Sequence, residues 1–198
     1  MRAAAAPRRV FVAAVGASAL AAPFAPGRSQ APPAAREAVA VEDAPVVVDR
    51  WLVDDVRARR RFRGEVVGQR PTVVSFTYSA CGATCPVSDL VMGAFEDSLV
   101  RGGRRDVALA TLTLDPLTDT PERLRAHATK VGAGPLRRFY TGAPADVFAV
   151  LDGLGVRFGP VEDHATLYLV FDARGRLSRR LPLGAGPDDL LAAVGSAR

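Results

Sequence analysis

The chain has 198 residues, 26 of them Lys or Arg and 21 Asp or Glu, for a formal charge of +5. With 48% hydrophobic and 24% charged residues its composition is that of a globular domain, which excludes a disordered or fibrous chain. The 2 cysteines exclude a disulfide-stapled mini-protein and a zinc site built on four thiolates.

Residues 1–22 have the parts of an export signal. Arg2, Arg8 and Arg9 form a basic start without acids, Val10 to Ala22 is uncharged and mostly apolar, and Ala19-Leu20-Ala21 offers a small-residue cleavage site. The apolar run is shorter than the roughly 20 residues a spanning helix needs. Arg8-Arg9-Val10-Phe11 resembles a twin-arginine signal, and a short uncleaved anchor is the alternative. The expected location is the periplasm or the outer face of the cytoplasmic membrane. Cleavage after Ala21 would remove three arginines and no acid, taking the charge from +5 to +2. Nucleic acid is therefore not an expected partner. Residues 23–45, rich in Pro and Ala, read as a tether, and 46–198 as one folded domain.

Within that domain, Pro45–Val53 and Arg59–Val67 read as a hairpin. Its cluster Arg57, Arg59, Arg60, Arg61 and Arg63, near Asp54 and Asp55, reads as a solvated edge guarded against aggregation. Thr72–Tyr78 is β-branched and aromatic, a buried strand. Pro86 suits the first turn of a helix running to Val100. Val107–Leu114 is a second apolar strand. The next helix enters at Pro121, with Asp119 expected as its cap, and ends at Gly132. Leu136–Tyr140 is a short strand and Pro144–Leu154 a helix. Thr166–Phe171 and Arg176–Leu181 pair across a turn at Asp172–Gly175, and a terminal helix opens at Pro187.

Strands alternating with helices, followed by a hairpin and a helix, give a βαβ–ββα order. The expected fold is α/β: a thioredoxin-like three-layer αβα sandwich with an N-terminal β-hairpin. In open sheets of this kind functional groups collect beyond the carboxyl ends of the strands, where Cys81 and Cys85 follow Tyr78. A helix N-terminus at that point favours thiolate over thiol. The pair can be a redox couple, a ligand pair or a structural disulfide, although so small a loop adds little chain-entropy stabilisation. In this plan the loop before the Thr166–Phe171 strand faces the cysteines. Thioredoxins carry a cis-proline there, whereas this chain has no proline between Val161 and Phe171 and offers His164. Two thiolates and an imidazole suit a soft cation of low coordination number, Cu(I) above all; zinc would ask for a fourth ligand. His127, inside the Pro121 helix, reads as a surface or half-buried residue without a role. Trp51, Tyr78 and Met92 read as packing residues.

Phe76-Thr77-Tyr78 with Cys81, Cys85 and Pro86 resembles the signature of the Sco/SenC family of copper chaperones. Leu114-Asp115-Pro116 with Asp119-Thr120-Pro121, and Asp163-His164 with Tyr168, Asp172 and Gly175, resemble its other two blocks, in the same order. Gly82 and Ala165 depart from residues common in the family. The resemblance implies a thioredoxin-like fold and copper, as Cu(I) and also Cu(II), held by Cys81, Cys85 and His164, with Cys81 and Cys85 also redox-active. Asp115 and Asp163 are candidates for tuning that site from behind the ligands. The implied function is delivery of copper to an exported or membrane acceptor, the dinuclear copper centre of cytochrome c oxidase subunit II. A thiol–disulfide oxidoreductase keeping that acceptor's cysteines reduced, with a thiol reductant protein as its own partner, is the alternative. A copper sensor or buffer is the third.

Overall fold

The computed structural model describes residues 39–80, 85–156 and 167–197. The chain divides into two units, Met1–Ala34 and Ala35–Arg198, and every described residue lies in the second.

One mixed sheet of eight strands forms its frame. In chain order these are β1 (Val39–Pro45), β2 (Trp51–Asp54), β3 (Arg59–Arg61), β4 (Thr72–Thr77), β5 (Ala108–Thr113), β6 (Arg137–Thr141), β7 (Leu167–Phe171) and β8 (Arg176–Pro182). Across the sheet they run β1-β8-β7-β4-β5-β6-β2-β3. The parallel centre is β4–β5–β6; β7 pairs antiparallel with β4, and β2 with β6. The helices are α1 (Cys85–Arg101), α2 (Pro121–Lys130), α3 (Pro144–Gly153) and α4 (Pro187–Ser196). Three of the four open on proline and the fourth has it second, where a missing N–H costs no hydrogen bond.

Side-chain alternation along the central strands supplies two cores. Val74, Ala110 and Leu169 point to the face covered by α3, which buries Val147, Val150 and Leu151. Their neighbours Val73, Leu109 and Val170 point to the other face, against Met92, Phe95 and Leu99 of α1 and Leu190 and Val194 of α4. Helix α2 joins that second side through His127, whose ring bonds Asp89 of α1. Helices on both faces of one sheet make the three-layer αβα sandwich that the sequence predicts.

The differences lie at the edges. Val39–Pro45, read from the sequence as the end of the tether, is strand β1, antiparallel to β8. The hairpin forms, but its strands are only Trp51–Asp54 and Arg59–Arg61, because the chain after Arg61 turns through Phe62–Val66 with Gly64 at φ 88. Trp51 is 40% exposed instead of packed inside, with the Arg59 and Arg61 guanidinium groups 4.7 and 5.2 Å from its ring centre. Arg61 pairs with Asp49 at 2.6 Å, Arg60 lies 3.6 Å from both Asp54 and Glu65, and Arg57 pairs with Glu122. This edge is a lattice of neutralised charge, in keeping with the guarded-edge reading.

Candidate metal centre

The candidate ligands Cys81 and His164, with Asp163, lie outside the described residues, as does the side chain of Cys85. What the structure describes is the frame that carries them. Strand β4 ends at Thr77, level with Thr113 at the end of β5. In the antiparallel pairing of β4 with β7, Val74 lies opposite Leu169, so β7 starts at Leu167 beside the last residues of β4. The segment after β4 and the segment before β7 therefore leave the sheet at the same end, from adjacent strands. Helix α1 starts there too, at Cys85, so its free N–H groups and the positive end of its dipole lie at that edge. Among the described residues no group of three His, Cys, Asp or Glu side chains could hold a metal ion.

The chain leading into the cysteine loop is tied down by a residue assigned another task from the sequence. Asp119 does not cap α2. Thr120 does, its side chain accepting from the Arg123 N–H at 3.3 Å. The reason is local: Pro121 is the first helical residue, so the cap is the residue immediately before it. Asp119 turns inward and is 2% exposed. Its Oδ2 accepts from the Thr113 hydroxyl at 2.6 Å, and its two carboxylate oxygens lie 3.2 and 3.1 Å from the Ser79 N–H. Its own carbonyl accepts from the Thr141 hydroxyl at 2.7 Å. One buried carboxylate thus joins the exits of β4 and β5 two residues before Cys81. The Leu114 N–H, donating to the Thr77 carbonyl at 2.7 Å, closes the same junction.

Asp115 is half-buried at the same end, beyond β5. Its N–H donates to the Thr113 hydroxyl at 3.0 Å, and its Oδ1 accepts from the Thr118 N–H at 3.3 Å, which closes the turn before α2. Tyr78 is half-buried against the α3-side core and Met92 is fully buried, both as packing residues.

His127 has a partner that the sequence reading did not supply. Its Nε2 lies 2.9 Å from Oδ2 of Asp89, one turn beyond Cys85 in α1. The other oxygen of Asp89 takes a 2.6 Å bond from Arg137, whose side chain is 1% exposed. Arg137 also donates to the Thr111 hydroxyl at 2.9 Å, which shares a 2.9 Å bond with Ser75. Burial works to raise the Asp89 carboxyl, but the hydrogen bond from His127 and the charge and hydrogen bond of Arg137 outweigh it and hold it below the usual carboxylate value. The available signal was Arg137 two residues before Phe139 in β6, on the same strand face as that apolar ring, since a buried guanidinium demands a carboxylate.

The rim around this end of the sheet is mixed. Val87 and Leu90 of α1 and Leu117 before α2 are exposed apolar side chains. A shallow depression of about 290 Å³ beside Ser79 is lined by Arg123, Ala126, His127 and Lys130.

Comparison with known proteins bears on this frame. The SCO1/SenC family model matches residues 50–197. The copper-bound ScoI of Arabidopsis thaliana superposes with a TM-score of 0.66 at 19% identity, over 75% of this chain and 95% of that one. A SCO1/SenC family lipoprotein of Bacillus anthracis gives 0.68 at 16%, over 83% and 99%. BsSco, described with a disulfide switch and as a member of the Sco family of cytochrome c oxidase assembly proteins, gives 0.66 at 16%, over 81% and 95%. No curated protein matches by sequence.

Proposed function

The chain belongs to the SCO1/SenC family, and from that premise we propose that it is an exported copper metallochaperone, taking copper on Cys81, Cys85 and His164 and passing it to an acceptor protein by ligand exchange. The observation that carries the reading is the shared end of the sheet: β4 leads toward Cys81, α1 starts at Cys85, and β7 starts three residues after His164. Two soft thiolates and one imidazole are a donor set for Cu(I). The start of α1 favours the thiolate form that a soft metal needs. Because the metal is cargo, its ligands must be exchangeable, which segments joining strands at a sheet edge permit. Exposed Val87, Leu90 and Leu117 offer apolar surface for a protein acceptor at that end.

The acceptor we propose is the dinuclear copper centre of cytochrome c oxidase subunit II. BsSco, described as one of a family of oxidase assembly proteins, and the copper-bound Arabidopsis thaliana ScoI support this choice. The leader before residue 23 supports export, as does the lipoprotein character of the Bacillus anthracis relative. Among the described residues no helix is long and apolar enough to cross a membrane.

A second reading draws on the disulfide switch described for BsSco. One thiolate of the Cys81/Cys85 pair would attack an acceptor disulfide and release one acceptor thiol as a mixed disulfide forms. The remaining cysteine would then displace the second thiol. The acceptor gains two electrons and this chain ends as the Cys81–Cys85 disulfide, to be reduced again by a thiol reductant protein. The two readings share one pair of thiols, since the disulfide cannot ligate copper.

Anaerobic titration of the reduced chain with Cu(I) against a competing chelator separates them. We expect one Cu(I) per chain, weaker binding in His164→Ala, and a Cys81/Cys85 couple that still oxidises and reduces in that variant. Binding by His164→Ala as tight as that of the parent would refute the three-ligand site. Turnover of disulfide substrates by metal-free protein would favour the reductase.

A further inference from the structure

Asp119 is a buried carboxylate with no place in the ligand set, and its bonds run to the backbone that leads into the cysteine loop. We propose that Asp119 is a positioning residue for the Cys81–Cys85 pair: by holding the Ser79 N–H it sets where the chain enters the loop, and so tunes both the disulfide–dithiol balance and the fit of copper. The proposal rests on the reading of Cys81 and Cys85 as the working thiols.

Three features carry it. First, the carboxylate is 2% exposed and takes up two donors from different strands' exits, the Ser79 N–H and the Thr113 hydroxyl, so it ties β4 to β5 where the loop begins. Second, its bond to Ser79 lies two residues from Cys81. A change in that anchor reaches the first thiol along only two residues of chain. Third, helix capping, which would otherwise explain an acid at this position, is already done by Thr120. The junction is fixed from behind as well, because the Asp119 carbonyl accepts from Thr141 in β6 and its N–H donates to the Asp115 carbonyl at 2.9 Å. A residue held by two donors at its carboxylate and by two bonds at its own backbone acts as a fixed post.

Removing a group that orients a metal-binding element typically costs about 10- to 100-fold in affinity. In Asp119→Ala the Ser79 N–H loses its acceptor and the loop entrance relaxes. Asp119→Asn keeps the shape and offers a carbonyl oxygen to the same N–H.

The test uses the full chain and two readouts. The equilibrium between Cys81–Cys85 disulfide and dithiol is measured against glutathione with no copper present, and Cu(I) affinity is measured by chelator competition. We expect Asp119→Ala to shift the redox equilibrium by about tenfold, which is about 30 mV for a two-electron couple, and to weaken Cu(I) binding by about tenfold or more. Asp119→Asn should recover most of both. Should Asp119→Ala not fold, Thr113→Val, which removes the hydroxyl bracing the carboxylate, should shift both readouts in the same direction by less. Unchanged redox balance and affinity in Asp119→Ala would overturn the proposal, as would an Asn variant as impaired as the Ala variant. A parent chain that binds no Cu(I), yet whose redox equilibrium moves with Asp119, would sink the chaperone reading and the copper half of this proposal, and leave its redox half standing.

Discussion

Asp89→Ala is the perturbation whose cost the structure defines best. It removes the carboxylate that takes a 2.6 Å bond from Arg137 and a 2.9 Å bond from His127. Arg137 cannot follow its lost partner into solvent, because its side chain is 1% exposed within β6. What remains to it is the Thr111 hydroxyl at 2.9 Å, the face of Phe139 at 4.6 Å and the more distant pull of the Glu96 carboxylate, none of which bonds the guanidinium as Asp89 does. Breaking a buried pair by deleting one member costs about 3–5 kcal/mol, because the other charge is stranded. Against a total stability of about 5–15 kcal/mol for a domain this is a large fraction. The assay is urea denaturation of the reduced protein, followed by far-ultraviolet circular dichroism, with parent and variant slopes compared. The double variant Asp89→Leu with Arg137→Met, which removes both charges, should regain most of the loss. A loss below about 1 kcal/mol in Asp89→Ala, or a double variant no better than the single one, would refute the argument that a stranded guanidinium sets the cost.

The same carboxylate predicts a pH dependence. Its value in the folded chain is lowered from the ordinary 3.8, so its contribution is complete at pH values well above 3.8 and disappears as the pH falls through the lower folded value. Acid unfolding of the parent should therefore be steeper than that of Asp89→Asn, and equal acid limbs would contradict the assignment. Gly175→Ala should destabilise by about 1–2 kcal/mol, the cost of a left-handed backbone at a residue with a Cβ. Gly175 sits at φ 75 in the β7–β8 turn, and an added Cβ would come within 3.2 Å of the Gly68 Cα. Thermal melts check this, and an unchanged melting temperature would show that the turn can relax.

The two periodicities and the punctuation residues made most of the architecture legible. Apolar runs such as Thr72–Thr77 and Ala108–Thr113 are buried along nearly their whole length, as central strands of a two-sided sheet must be. Pro121, Pro144 and Pro187 mark helix starts to the residue. Strand β1 was not legible, because an edge strand needs only a partner, and its partner β8 lies far along the chain. The hairpin's true length depended on Gly64 taking a positive φ, which a glycine permits but does not announce. At the site, the spacing of Cys81, Cys85 and His164 stood out because chemistry concentrates in rare residue types. The supports did not stand out. Asp119 resembles a helix cap in any Asp-Thr-Pro triplet, and only the buried Thr113 hydroxyl and Ser79 N–H reveal what it holds. His127 looked idle for the same reason: its partner Asp89 is on another helix, and nothing local pairs the two.

The order of strands has one more consequence. Edge strands β1 and β3 can fray by losing a single neighbour, whereas β4 is enclosed by β7 on one side and β5 on the other. Amide protons of β3 and β1 should then exchange with solvent through small local openings, while those of Thr72–Thr77 wait for the whole domain to open. A tug on the N-terminal side of the chain is met first by β1, with β8 and β7 still between it and β4. The domain can thus be loosened at its margins while the strand that leads to its cysteines stays registered.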